Sequence, residues 1–283
     1  GGPDKFGKYA ALLGLPVGGI AGLFGSMVGV GGGIIMVPMI TCKPLSLQAR
    51  QASATSLVAV VATGLVSAIM YGSLGQADLP AAALLSAAAL MTAPAGARAT
   101  MKMSHTSLKR IMGIFILIAA PSVPLREAFV QSSSAPKSAE EGSDQSAAAS
   151  ETTSGIMALP PAQQLPYACM LLATGSCAGF MSGLLGIGGG ILVTPLLALS
   201  SDMPQHSIVG TSMVAMVLPA AASLYTHHTL GNVKWQVGRM LLVGSAVGAA
   251  VGVTIAQRLD DASMKKFFAV AMFALGLKTL KSA

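Results

Sequence analysis

From residue 10 to residue 42 the chain carries no Asp, Glu, Lys or Arg, and the same holds for residues 51–76, 79–97, 111–125, 155–201, 203–233, 240–257 and 267–277. Every charged side chain falls between these stretches. A hydrocarbon core about 30 Å thick is crossed by about 20 residues of helix. Lipid satisfies no backbone N–H or C=O, so such segments must be helical. Composition agrees: of 283 residues, 53% are hydrophobic and 10% charged, against about 25% charged in a soluble domain. The expected fold is an all-α integral membrane protein with about eight transmembrane segments, in a plasma or an organellar membrane.

The net charge of +7 sits in the loops, where it sets orientation and meets lipid headgroups. It is no nucleic-acid footprint, because aromatics are 5% with one Trp and offer no platform for stacked bases. Cys42, Cys169 and Cys177 lie in apolar stretches without a CxxC pair, which fits neither a disulfide framework nor a zinc site. The chain begins at Gly1 with no secretory signal in view. Residues 126–160 are rich in Ser, Ala and Glu and bury too little to offset their ordering entropy. They read as a disordered polar linker between a first membrane repeat at 10–125 and a second at 161–283.

The repeat is visible by self-comparison. GSMVGVGGGIIMVP, ending at Pro38, returns as SGLLGIGGGILVTP, ending at Pro195. Thr55-Ser56 then pairs with Thr211-Ser212, Tyr71 with His227, Gly75 with Gly231 and Gly96 with Gly252. The chain is thus two pseudo-symmetric four-segment repeats, the construction of many secondary transporters, whose substrates bind near the bilayer midplane between the copies. An even number of crossings per copy gives parallel copies, and an odd number inverted ones. Parallel copies are expected, with Lys43, Arg50, Arg98, Lys102, Lys109, Arg110, Arg258, Lys265 and Lys266 on the cytoplasmic side and both termini opposite.

The first segment of each copy is too long for a simple crossing and is interrupted by Gly29, Gly31, Gly32 and Gly33, or by Gly186, Gly188, Gly189 and Gly190. Adjacent glycines cost a helix about 1 kcal/mol each, so both first helices are expected to break. Broken backbone in a bilayer is tolerated only inside protein or along a cavity. The helix N-terminus after each break makes an anion site without Lys or Arg. Candidate substrate-binding residues are therefore Gly31, Gly32, Gly33, Gly188, Gly189 and Gly190, with the hydroxyls of Thr55, Ser56, Thr211 and Ser212. Those hydroxyls can equally bond their own helix one turn back. Glycines four apart, such as Gly18 with Gly22, Gly175 with Gly179 and Gly244 with Gly248, read as close helix packing.

Arg50, Tyr71, His206, Tyr225, His227 and Asn232 are candidates for a gate or pore mouth. Adjacent His227 and His228 point to different helix faces, which argues against a zinc site; no metal or cofactor is expected. No Asp or Glu falls within an expected span, so no carboxylate relay or enzymatic acid–base pair is expected there. A transporter is favoured, and a non-transporting scaffold or assembly factor is the alternative.

G-x-GGG-x4-P in both halves, a following Thr-Ser pair and Leu230-Gly231-Asn232-Val233 in the second half resemble the TauE/SafE family of membrane proteins. That family is implicated in export of sulfite, sulfonates and related organosulfur anions, and the resemblance implies a multi-pass anion transporter. The expected function is export of small anions, such as sulfite or organosulfonates, by alternating access between the two repeats. The first half departs from it with Leu74-Gly75-Gln76-Ala77 in place of LGNV. The oligomeric state stays open.

Overall fold

A computed structural model describes residues 3–41, 47–103, 161–201 and 203–260, with Ser263, Lys266 and Val270 beyond them. The expected spans at 111–125 and 267–277 and the linker lie outside the described residues, apart from Val270. The elements are α1 (Pro3–Val28), α2 (Gly33–Thr41), α3 (Ala49–Ser73), α4 (Leu79–Ala99) with a 3₁₀ turn (Thr100–Lys102), α5 (Pro161–Leu185), α6 (Gly190–Ser200), α7 (Gln205–Thr229) and α8 (Trp235–Ala256). Within α3, α4, α5, α7 and α8 lie five stretches long and apolar enough to cross a membrane.

Both first helices break where the glycines predict. Gly29, Gly31 and Gly32 take φ of 79°, 75° and 76°, and Gly186, Gly188 and Gly189 take 69°, 95° and 67°, values that glycine alone adopts without strain. These residues reverse the chain. A Cβ on Gly32 would strike the Ala21 carbonyl, and one on Gly25 would strike the Gly32 backbone. α2 then returns beside α1, packing Met36, Val37 and Ile40 into one cluster with Val17 and Ala21. The pair α1–α2 is a re-entrant hairpin, and α5–α6 is its counterpart.

The face of the molecule at which α3 begins is called face I and the opposite one face II. α3 and α7 are antiparallel: Gly210, near the start of α7, sits against Tyr71 and Gln76 at the end of α3, and Gly64 in mid-helix sits against Met213 and Val217. α8 begins at face I, where the Lys234 N–H bonds the Thr55 hydroxyl at 3.1 Å. α1 runs parallel to α8, with Gly18 on Leu241, Gly22 on Ser245 and Gly252 on Leu23. α5 runs parallel to α4, with Gly175 on Leu85, Gly179 on Ala89 and Gly183 on Ala93. One hairpin therefore enters from face I and the other from face II.

The halves are inverted, which corrects the parallel arrangement expected from the sequence. The cause is the hairpin: a first segment that doubles back adds no crossing, so the even count from which parallel copies were expected does not apply. The charge layout changes with it. Arg50, Arg98, Lys102, Lys234 and Arg239 lie at face I, and Arg258 moves to face II with Asp78 and Asp260.

Packing also exchanges helices between the halves. One core cluster gathers Val17, Met36, Ala59 and Leu241 from α1, α2, α3 and α8. Another gathers Leu85, Leu171, Val193 and Ile208 from α4, α5, α6 and α7, and smaller clusters, such as Met27, Tyr71, Val209 and Val253, join the two. Between apolar helices in lipid, association rests on van der Waals contact and hydrogen bonds. The four-apart glycines supply that contact: a Cβ on Gly22 or Gly179 would fall on the facing backbone.

Candidate functional site

The two breaks meet at the centre of the molecule. A Cβ on Gly33 would lie 2.6 Å from the Gly186 carbonyl oxygen and from the Ile187 Cα, and one on Gly190 would strike the Gly29 carbonyl. The Val60 side chain, near the middle of α3, lies beside both Gly31 and Gly188, while the Met216 sulfur of α7 lies beside Gly189. All six glycines singled out from the sequence are buried there.

The carbonyls at the break are capped from the opposite half. Ser56 Oγ donates to the Gly186 carbonyl at 2.8 Å, and also to the Ser53 carbonyl of its own helix at 2.8 Å. Ser212 Oγ donates to the Gly29 carbonyl at 3.1 Å. Thr194 Oγ1 donates to the same carbonyl at 3.2 Å and lies 3.1 Å from Ser212 Oγ. The paired threonines do different work. Thr55 Oγ1 accepts the Lys234 N–H, and Thr211 Oγ1 accepts the Asp78 N–H at 2.9 Å. Each Thr-Ser pair thus pins the loop and the break of the other half.

The donors at the break are a different matter. Among the described residues, the backbone N–H groups of Gly32, Gly33 and Ile34, and of Ile187, Gly188, Gly189 and Ile191, make no backbone hydrogen bond across the break. The Gly29 and Gly186 carbonyls are thus capped, whereas these N–H groups, and the carbonyls of Val30, Gly31 and Ile187, make no hydrogen bond among the described residues. Both helix N-termini, at Gly33 and Gly190, point into the crossing, adding the positive ends of two helix dipoles.

The gate candidates divide. Tyr71 is fully buried and its hydroxyl donates to the Ser26 carbonyl at 3.2 Å. His227, equally buried, makes the equivalent bond from Nε2 to the Gly183 carbonyl at 2.9 Å. A carbonyl only accepts, so Nε2 carries the proton and Nδ1 accepts from Asn232 Nδ2 at 3.4 Å. Arg50 donates to the Met101 carbonyl at 3.2 Å on face I, and His206 starts α7 at face II. Tyr225 is not brought to the others: it is 70% exposed on the outer surface. His228 turns away from His227 and accepts the Trp235 indole N–H at 3.2 Å. Among the described residues no three His, Cys, Asp or Glu side chains gather as a metal site.

Sequence reasoning missed Thr194, Val60 and Met216. The first had a signal, since ILVTP carries a hydroxyl where IIMVP has Val37. The other two are apolar residues in apolar helices and had none.

The sequence profile of the sulfite exporter TauE/SafE family matches residues 13–279. The chain belongs to this family. It is a multi-pass membrane transporter. Among its relatives, a probable membrane transporter protein, YunE of Bacillus subtilis, is 25% identical over 267 residues, covering 92% of this chain and 94% of its own. A probable membrane transporter protein of Methanocaldococcus jannaschii is 22% identical over 288 residues, covering 95% and 97%. One from Haemophilus influenzae is 32% identical over 123 residues, covering 41% and 47%. No solved structure is significantly similar to the chain.

Proposed function

We propose that this chain carries small oxyanions, sulfite or an organosulfonate, across the membrane by alternating access, with the substrate held where the breaks cross. The observation that carries this reading is the meeting of two helix N-termini at the crossing. There the N–H groups of Gly32, Gly33, Ile34, Ile187, Gly188, Gly189 and Ile191 make no backbone hydrogen bond across the breaks, while Ser56, Ser212 and Thr194 occupy the Gly186 and Gly29 carbonyls. The positive ends of two helix dipoles facing one point favour an anion over a cation there. An oxyanion accepts several hydrogen bonds at once, and in a water-excluded interior those donors act at low dielectric.

Under this reading Gly32, Gly33, Gly188 and Gly189 are the backbone donors, Gly31 and Gly190, whose N–H groups bond the Gly25 and Gly188 carbonyls, shape the breaks, and the Thr-Ser pairs hold them in place. The moving bodies are the two helix clusters, α1, α2, α3 and α8 against α4, α5, α6 and α7, and not the two sequence repeats. Their separation along the α3–α7 contact would part the breaks and admit substrate from one face at a time. The basic face I would be cytoplasmic by the positive-inside rule, which places Arg50, Lys234 and the His227–Asn232 pair at the inner mouth and His206 and Tyr71 at the outer one.

The test is flux of radiolabelled sulfite, taurine and sulfate into proteoliposomes holding the purified protein. Saturable uptake of sulfite or the sulfonate, competed by the other, is the expected result. A correctly inserted protein that passes none of the three would overturn the reading in favour of a membrane scaffold.

A further inference from the structure

One face of α3 carries Ser53, Ser56, Val60, Ser67 and Tyr71 at helical spacing, and all but one of them touch a broken helix. Ser53 lies against the Leu184 carbonyl, Ser56 against Gly186, Val60 against Gly31 and Gly188, and Tyr71 against Ser26. Ser67 sits in register between Val60 and Tyr71. It is fully buried, and among the described residues its hydroxyl has no hydrogen-bond partner.

α7 repeats the arrangement. Ser212 bonds the Gly29 carbonyl, Met216 lies beside Gly189 and His227 bonds the Gly183 carbonyl. Ser223, between Met216 and His227, is fully buried and also without a partner. Ser67 and Ser223 are equivalent positions of the two halves.

A serine inside a membrane helix ordinarily bonds a carbonyl one turn back, as Ser176 and Thr254 do here. Leaving a hydroxyl unbonded at depth carries a desolvation penalty with no return in the resting protein. That both halves keep the same penalty at the same place, on the face that lines the broken helices, calls for a ligand. We propose that Ser67 and Ser223 are two outer anion stations, one on each side of the crossing, that hand the oxyanion between the breaks and the two faces. At 1.5 Å per residue Ser67 stands about 10 Å along α3 from Val60, and Ser223 about 10 Å along α7 from Met216. Each lies one turn inside the Tyr71 or His227 clamp. Thr63, equally buried and unpartnered one turn from Ser67, would supply a second hydroxyl on the face II side.

This inference rests on the transport reading above, and its test separates the two. Sulfite uptake and the thermal midpoint in detergent are measured for wild type, Ser67→Ala, Ser223→Ala and Ser67→Thr. Loss of one hydrogen bond to a charged ligand is expected to raise the KM for sulfite roughly tenfold in each alanine variant, the equivalent of about 1.4 kcal/mol. Their thermal midpoints should hold or rise, because an unpaired buried hydroxyl has been removed. Ser67→Thr, which keeps the hydroxyl, should keep a wild-type KM. Unchanged KM in both alanine variants, beside active wild type, overturns the stations and leaves the transport reading standing. A raised KM accompanied by a lower midpoint overturns them as well, since it marks a packing role. Wild type that passes no sulfite, taurine or sulfate overturns the transport reading itself.

Discussion

At face II the Tyr71 hydroxyl donates to the Ser26 carbonyl, and at the equivalent place on face I the His227 ring donates to the Gly183 carbonyl. The next pair diverges further. Gln76 exchanges two amide hydrogen bonds with Gln257, at 3.0 and 2.7 Å, whereas Asn232 reaches His227 and the Met101 sulfur. Where Thr211 accepts the N–H of Asp78, Thr55 accepts that of Lys234. The two halves keep the backbone targets and change the side chains that reach them. Backbone bonds fix the hairpins, so both halves need them. The side chains at the two faces meet different solutions and lipid leaflets, and face I is basic whereas face II is not.

The glycine seams are where the halves should be most alike. Gly22→Leu and Gly179→Leu each drive a side chain into a facing helix backbone, at Ser245 and at Ala89. Both are expected to cost about 3 kcal/mol by overpacking and to remove the folded protein from detergent extracts, as read by size-exclusion chromatography. A folded Gly179→Leu beside an unfolded Gly22→Leu would show that the two seams bear unequal load.

The serine caps should differ by a smaller amount. Ser56 is the hydroxyl bonded to the Gly186 carbonyl, whereas the Gly29 carbonyl has both Ser212 and Thr194. Ser56→Ala should therefore cost about 2 kcal/mol and Ser212→Ala under about 1 kcal/mol, with Ser212→Ala combined with Thr194→Val restoring the larger loss. Thermal denaturation in detergent reads the order; equal losses from the two single variants would contradict the asymmetric capping.

The membrane class, the repeat and the position of both breaks were legible in the sequence, because each follows from charge spacing or from glycine's freedom at positive φ. The direction of the chain after the break was not. IIMVP reads the same whether it continues a crossing or turns back, and only the contact of Gly32 with Ala21 decides it. That hidden reversal misdirected the topology, since charge was apportioned to faces by counting crossings. The Thr-Ser pairs were found as a motif, but their partners lie in the opposite half, far away in sequence. Gln76 looked like a departure from LGNV and is explained by Gln257, a residue that no local pattern links to it.

Gln48 and Pro204 are exposed residues that immediately precede α3 and α7, at equivalent places in the two halves. In a variant lacking Cys42, Cys169 and Cys177, a single cysteine at either position can be labelled with a membrane-impermeant thiol reagent in sealed, uniformly oriented vesicles. Two inverted halves that bring their re-entrant breaks together predict that Gln48→Cys reacts from one side of the membrane only and Pro204→Cys from the other only. Labelling of both from the same side would contradict the inverted arrangement, and with it the crossing of the breaks at the centre of the molecule.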